Sequence, residues 1–168
     1  MGGQGLILAG MILGEAATIY AGLNAVQTQS YAPLVRGAPS MSEVIISDAE
    51  IDFPVVEEAD VLLALVQDSF DEHASKVRPG GLIVAADRGV VIPENWDGAA
   101  VRQLPLAQAA LDAGAAPIAA TMVGCGAILR RIEVVPLEAM AQAVRLRVPR
   151  EVRDANVRAL EAGYALLG

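Results

Sequence analysis

The chain has 168 residues, a length typical of one domain, and 54% of them are apolar while only 19% are charged. This composition excludes a disordered chain and indicates a large buried surface, within a covered sheet or at a subunit interface. A net charge of −8 and an aromatic content of 4% argue against nucleic-acid binding. One cysteine, Cys125, excludes an internal disulfide, a cysteine-ligated iron–sulfur cluster and a four-cysteine zinc site.

The amino-terminal segment, residues 1–23, is largely apolar and rich in small residues. It lacks the basic residues of a signal peptide, and Glu15 interrupts it before it reaches membrane-spanning length. We therefore predict a buried helix from Gly5 to about Leu23, no membrane segment and a cytoplasmic location. The polar residues 24–42, which contain several turn formers, predict a long loop.

Strands and helices are predicted to alternate along the rest of the chain. Apolar runs predict strands at 43–47, 61–66, 82–86 and 101–104, with a further short strand at 90–92. Helices are predicted at 69–77, 106–113, 119–129 and 137–144, and Pro149 opens an amphipathic helix through Leu167. Strands that are apolar throughout are typical of a parallel sheet covered on both faces. We predict one α/β domain over residues 1–168, a Rossmann-like three-layer sandwich with a mostly parallel sheet.

A glycine-rich turn, Gly2-Gly3-Gln4-Gly5, stands directly before the first predicted helix. Glycines let main-chain N–H groups approach an anion, and the helix amino terminus adds a favourable dipole. The dinucleotide pattern G-x-G-x-x-G is matched only in part, since Leu8 replaces its third glycine and no ribose-binding carboxylate follows. An NAD site is therefore disfavoured, whereas a phosphorylated ligand and a simple tight turn both remain compatible with the glycines.

The same turn bears on the predicted sheet, because a glycine-rich turn of this kind normally follows a first strand. The sequence begins at the turn itself. We therefore expect the amino terminus to be truncated and the sheet to lack its first strand.

Arg36 is the single basic residue among residues 1–75, which hold eleven acidic residues. Its guanidinium could clamp a phosphate or a carboxylate in bidentate fashion. The alternative is a local ion pair with Glu43 or Asp48. His73, the one histidine, falls in a charged helix and is predicted to be solvated. We therefore expect no catalytic residue and no metal site in this chain, but rather a binding or assembly subunit.

The motifs taken together resemble a known family. They occur in this order: Gly2-Gly3-Gln4-Gly5, Thr28-Gln29-Ser30-Tyr31, Arg36-Gly37, Ala59-Asp60, Pro79-Gly80-Gly81, Thr121-Met122-Val123, and Asn156 with Ala159-Leu160 and Gly163. Over nearly the whole chain this pattern resembles the gamma subunit, or gamma domain, of the 2-oxoacid:ferredoxin oxidoreductases. The 2-oxoglutarate form is the favoured member, and the indolepyruvate ferredoxin oxidoreductase beta subunit is a related alternative.

This resemblance implies a multi-subunit enzyme that oxidatively decarboxylates a 2-oxoacid to the acyl-coenzyme A and passes electrons to ferredoxin. It implies that alpha, beta and delta-type partner subunits hold thiamine diphosphate and iron–sulfur clusters, so that this chain is inactive alone. It also implies that this chain contributes to the coenzyme A site. The implied contact residues are Gly2, Gly3, Gln4, Gly5, Arg36, Thr121 and Asn156.

Two positions depart from the family pattern: Ala38 replaces the second glycine of the usual Arg-Gly-Gly, and Thr121 replaces a common asparagine. Two other classes of protein remain open, a freestanding nucleotide-binding protein and a purely architectural subunit. The apolar content also predicts that the isolated chain associates with itself when its partners are absent.

Overall fold

The structure, a computed structural model, describes residues 4–30 and 40–168. Its helices are α1 (Gln4–Glu15), α2 (Gln67–His73), α3 (Leu106–Asp112), α4 (Ala120–Ile132), α5 (Leu137–Arg147) and α6 (Arg150–Leu166). Its strands are β1 (Asn24–Ser30), β2 (Met41–Ser47), β3 (Ala59–Ala64), β4 (Val77–Ala86) and β5 (Ala100–Leu104). The predicted helices and most of the predicted strands are therefore confirmed, with small shifts at their ends.

The strands form two groups. β1 and β2 make a two-stranded antiparallel ribbon, whereas β3, β4 and β5 form a three-stranded parallel sheet in the order β3-β4-β5. Leu82 in the middle strand stands opposite Val61 on one side and Ala100 on the other. The predicted α/β fold with a mostly parallel sheet is confirmed.

The second half of the middle strand β4, residues 81–85, is buried on both faces. Leu82 and Val84 belong to a core shared with α1 and α3 to α6, while Ile83 and Ala85 point into a second core with Phe70 of α2. Successive side chains of a strand point to opposite faces, so a strand between two cores must be apolar at every position. Helices thus cover both faces of the sheet, as the three-layer prediction requires.

Residues 24–30 form strand β1, so the prediction of a loop there was wrong. β1 pairs with β2 from Asn24 opposite Ser47 to Ser30 opposite Met41. Its polar side chains are bonded within the fold: Gln27 Nε2 donates to the Ile7 carbonyl at 3.0 Å and to Ser42 Oγ at 2.8 Å. Residues 41 and 42 of the predicted loop belong to β2, so the prediction was wrong there as well, and residues 31–39 lie outside the described residues.

The short strand predicted at 90–92 is absent from the part of the chain that the structure describes, because side chains bond the main chain there. Gln67 Oε1 accepts from the Val91 N–H at 2.7 Å, and Gln67 Nε2 donates to the Val91 carbonyl at 3.2 Å. Gln103 Nε2 donates to the Val90 carbonyl at 2.7 Å. The first helix also differs from a plain α-helix, since it continues from Ala16 to Tyr20 as a π-helix.

Helices α4 and α6 pack with their main chains in direct contact. Gly126 of α4 lies against the main chain of Leu160, and Gly163 of α6 lies against the main chain of Val123. A Cβ atom on Gly163 would collide with the Val123 carbonyl oxygen. This close approach requires glycine on both helices and fixes where α4 lies over the sheet.

Among the described residues, no single helix is both long and apolar enough to cross a membrane. The helical segments Leu106–Asp112 and Pro117–Ile132 reach the length and apolar composition of a membrane span only when they are taken together, and the chain bends by 119° between them.

Candidate functional site

The amino terminus of α1 lies against the first turn of α4. A Cβ atom on Gly5 would lie 3.4 Å from Thr121 Oγ1 and 3.6 Å from Ile118 Cγ1. Thr121 is only 5% exposed, so its hydroxyl is held in a nearly closed environment. The structure therefore brings together two of the predicted contact residues that are 116 positions apart in the sequence.

The remaining predicted contact residues divide into two groups. Gly2, Gly3 and Arg36 lie outside the described residues, and Gln4 is described only as the first residue of α1. Asn156 lies on α6, where its Nδ2 donates to the Val152 carbonyl at 2.8 Å. Their roles in binding a ligand stay predictions.

Asn156 lies apart from the Gly5–Thr121 contact. Gly163, which packs against Val123 near the start of α4, is seven residues further along the same helix. With the α-helical rise, that separation is about 10 Å along the axis. Asn156 could therefore contact the same ligand as Gly5 only if the ligand were an extended molecule.

A cleft of about 890 Å³ extends from Thr121 along the length of α4. Helix α4 contributes Thr121, Cys125, Ile128 and Ile132, which are spaced so that they share one helix face. Leu6, Ala9 and Leu13 of α1 border the same space, together with β2, β3, residue 53 and residues 55–58. The lining of the cleft is thus mostly apolar, and it also includes charged residues.

Basic side chains lie at the end of the cleft opposite Thr121. Arg131 Nη2 donates to the Gly80 carbonyl at 2.9 Å, and Arg78 Nε donates to Asp60 Oδ1 at 2.5 Å. Sequence analysis did not single out these two arginines, because α4 and β4 meet only in the folded chain. Their contacts orient them toward the main chain and a carboxylate of this same chain.

His73 also borders this cleft, so the prediction of a solvated histidine was wrong. Its side chain is 14% exposed, with Nδ1 lying 3.3 Å from Lys76 Nζ and Nε2 lying 3.9 Å from Glu72 Oε2. The helix pattern alone could not reveal this, because the cleft is formed by elements remote in sequence. Within the described residues, no group of three or more His, Cys, Asp or Glu side chains could hold a metal ion.

An ion pair fixes the far end of α1 to α5. Arg147 Nε donates to both carboxylate oxygens of Glu15, at 2.7 and 2.9 Å, and Arg147 Nη2 donates to the same carboxylate. The hydrogen bond and then the charge of Glu15 raise the pKa of Arg147. This contact helps to hold the helix whose amino terminus faces Thr121.

The Cys125 thiol is buried in the wall of the cleft, and burial raises its pKa to about 12. The reactive species is the thiolate, whose fraction rises tenfold with each pH unit below the pKa. At pH 8 we expect Ellman's reagent to label the native chain about a thousandfold more slowly than the unfolded chain. Rapid labelling of one thiol in the native chain would contradict this burial.

The fold and these contacts define a class of protein: an α/β chain in which a helix with a glycine in its first turn faces a buried threonine above a parallel sheet. The chain belongs to the pyruvate ferredoxin/flavodoxin oxidoreductase family, because the sequence model of that family matches residues 1–166. The 2-oxoglutarate synthase subunit KorC of Methanocaldococcus jannaschii is 40% identical over 165 residues, covering 97% of this chain and 88% of that relative. The KorC subunit of Methanothermobacter marburgensis is 37% identical, covering 99% of this chain and 92% of that relative.

Solved structures confirm the fold. The gamma subunit of a keto/oxoacid ferredoxin oxidoreductase from Geobacter sulfurreducens superposes with a TM-score of 0.82 at 38% identity, covering 98% of this chain and 92% of that chain. The 2-oxoglutarate:ferredoxin oxidoreductase from Magnetococcus marinus, solved with 2-oxoglutarate, coenzyme A and succinyl-CoA, gives 0.83 at 21% identity. The match covers 97% of this chain but 29% of that one, so the same fold forms part of a longer polypeptide there. The family resemblance predicted from the motifs is confirmed.

Proposed function

We propose that this chain is the gamma subunit, a single gamma-type domain, of a cytoplasmic 2-oxoglutarate:ferredoxin oxidoreductase. The observation that carries the proposal is the 40% identity with a 2-oxoglutarate synthase subunit across 97% of this chain. Four KorC subunits are among the relatives, which favours 2-oxoglutarate over indolepyruvate as the substrate of the complex.

The proposed reaction of the complex converts 2-oxoglutarate and coenzyme A to succinyl-CoA and carbon dioxide. The carbon–carbon bond to the carboxylate breaks, a thioester bond forms with loss of the thiol proton, and two electrons reduce two ferredoxin molecules. We assign thiamine diphosphate and the iron–sulfur clusters to alpha, beta and delta-type partner subunits. Bound there, thiamine diphosphate would stabilise the carbanion formed in decarboxylation. This chain contributes to coenzyme A binding and to assembly of the complex.

The contribution of this chain is proposed to be part of the coenzyme A site. The first N–H groups of an α-helix have no partner within the helix, and its dipole favours an anion beside them. The first turn of α1 carries no acidic residue that would repel a phosphate. Gly5 leaves space there, and Thr121 adds a hydroxyl beside it. Gly2, Gly3, Gln4, Arg36 and Asn156 complete the proposed contacts, so a diphosphate would lie at the start of α1.

Reconstitution of the complex with and without this chain tests the proposal. Partner subunits purified without it are expected to lose coenzyme A-dependent reduction of ferredoxin by 2-oxoglutarate, and addition of this chain restores the activity. The isolated chain is expected to be inactive and free of iron, because one cysteine and one histidine cannot ligate a cluster. Full activity of the partners alone, or 2-oxoglutarate-dependent dye reduction by this chain alone, would contradict the assignment.

A further inference from the structure

A short turn follows β4 at the carboxyl edge of the parallel sheet and carries an exposed arginine, Arg88. Most of the basic side chains that the structure describes form an ion pair or a hydrogen bond with another group. Arg88 forms neither with any described residue, and residues 1–3 and 31–39 contain no acidic side chain that could pair with it. Its guanidinium is therefore available to a ligand.

Hydrogen bonds hold the main chain of this turn in place. The Asp87 N–H donates to a main-chain carbonyl at the end of β5, at 2.9 Å. Just beyond the turn, the side chains of Gln67 and Gln103 bond the main chain of residues 90–91. A segment that is already ordered loses less freedom on binding than a mobile segment does. The fold thus fixes the main chain that carries Arg88 and leaves the guanidinium without a partner among the described residues.

Helix α4 runs antiparallel to the strands beneath it, so its first turn lies at the carboxyl edge of the sheet. Gly124 packs against the side chain of Leu63, near the carboxyl end of β3. At the other end of the helix, Arg131 Nη2 donates to the Gly80 carbonyl near the start of β4. Thr121, one turn before Gly124, therefore lies toward the carboxyl edge, together with the start of α1.

Arg88 and the start of α1 are separated by a distance that an extended ligand can span. The turn contacts the end of β3, since a Cβ atom on Gly89 would lie 3.8 Å from the Leu65 carbonyl oxygen. Neighbouring strands are about 4.8 Å apart and packed layers about 10 Å apart, so the main chain of Arg88 lies on the order of 10–15 Å from Thr121. A ligand that binds at both places is therefore extended and carries more than one anionic group.

We propose that Arg88 binds the 3′-phosphate of coenzyme A, while the diphosphate of the same molecule lies at the start of α1. This inference rests on the proposed function, which places coenzyme A at that terminus. A phosphate monoester carries close to two negative charges at neutral pH, and a planar guanidinium can donate to two of its oxygens at once. Arg88 thus distinguishes coenzyme A from an analogue that lacks this phosphate.

The test compares coenzyme A with 3′-dephospho-coenzyme A as substrates of the reconstituted complex. For the wild-type complex we expect the KM of the dephosphorylated analogue to be about tenfold to a hundredfold higher, since a charge-assisted contact is lost. Arg88→Ala should raise the KM for coenzyme A by a similar factor and leave the KM for the analogue unchanged. Arg88→Lys should restore part of the preference for coenzyme A, because the charge remains while the bidentate geometry is lost.

Arg102→Ala is the matched control variant. Arg102 is also exposed and forms no ion pair with a described residue, but it lies within β5 and not beyond the end of a strand. This variant should leave the KM for both substrates unchanged. Adenosine 3′,5′-bisphosphate provides an independent probe of the same contact. It should inhibit the wild-type complex in competition with coenzyme A and bind the Arg88→Ala complex about tenfold or more weakly.

Three results would overturn the inference. The wild-type complex could use both substrates with equal KM, which would mean that no residue recognises the 3′-phosphate. Arg88→Ala could raise both KM values alike, or it could change neither of them, and Arg88 would then not bind this phosphate. The proposed function would survive each of these results, because it fails only if the partner subunits are fully active without this chain.

Discussion

Substitution of Gly163 by alanine is expected to lower the free energy of unfolding by about 3 kcal/mol, at the upper end of the usual cost of overpacking. The added methyl group would collide with the Val123 carbonyl oxygen. That oxygen belongs to the main chain of α4, so no side-chain rotation can relieve the contact. For a chain of this length the change corresponds to a fall in Tm of about 6–12 °C, measured by thermal denaturation.

Gly14→Ala provides the matched control for the same chemical change. Gly14 also lies in a helix, α1, but a Cβ atom there would meet nothing within 4 Å. Alanine is favoured over glycine inside a helix by about 1 kcal/mol, so Gly14→Ala should leave Tm unchanged or raise it. If both variants change Tm alike, the close contact between α4 and α6 does not contribute to stability as described.

Substitution of Arg36 by alanine is expected to raise the KM for coenzyme A in the reconstituted complex. The loss of a charge-assisted hydrogen bond costs about 1.5–3 kcal/mol, which corresponds to about tenfold to a hundredfold in KM. Residues 1–75 offer no second basic side chain to replace it. The KM for 2-oxoglutarate should change little, because we assign that substrate to a partner subunit. Steady-state kinetics with each substrate varied in turn measures both constants.

Two control variants sharpen the test of Arg36. Arg36→Lys should recover part of the affinity, since an ammonium group keeps the charge but cannot form the bidentate contact. Arg150→Ala removes an exposed arginine at the start of α6 and should leave the KM unchanged. An equal loss for both substrates would indicate a defect in assembly. Unchanged kinetics would favour the local ion pair with Glu43, whose carboxylate accepts from Thr28 Oγ1 at 3.2 Å.

The sequence predicts best the elements whose burial is complete. Residues 82–86 of β4 are apolar at successive positions because they lie between two cores, and that pattern can be read directly. β1 is polar, and its stability comes from pairing with β2 and from the contacts of Gln27 with Ile7 and Ser42. Such contacts depend on how α1 packs on the ribbon, so the local pattern indicated a loop instead.

The residues of the candidate site also differ in how far the sequence alone predicts them. Gly5 could be predicted from its place in a glycine-rich turn before a helix, which is a local pattern. Thr121 was identified only through the family resemblance, because nothing in its apolar helix distinguishes it from a buried threonine. Their contact, and the positions of Arg78 and Arg131 at the other end of the cleft, arise from the packing of α4 and are not encoded in any short segment.

The division of the core by the sheet has a consequence for spectroscopy. Trp96 is the single tryptophan, and it lies on the α2 side, where its ring centroid is 5.1 Å from that of Phe70 and Nε1 donates to the Ala99 carbonyl at 2.9 Å. Tryptophan emission therefore reports on the smaller core alone, whereas far-ultraviolet circular dichroism is dominated by the helices of the opposite face. Recorded on one sample, the two signals distinguish a concerted transition from stepwise loss of the two layers.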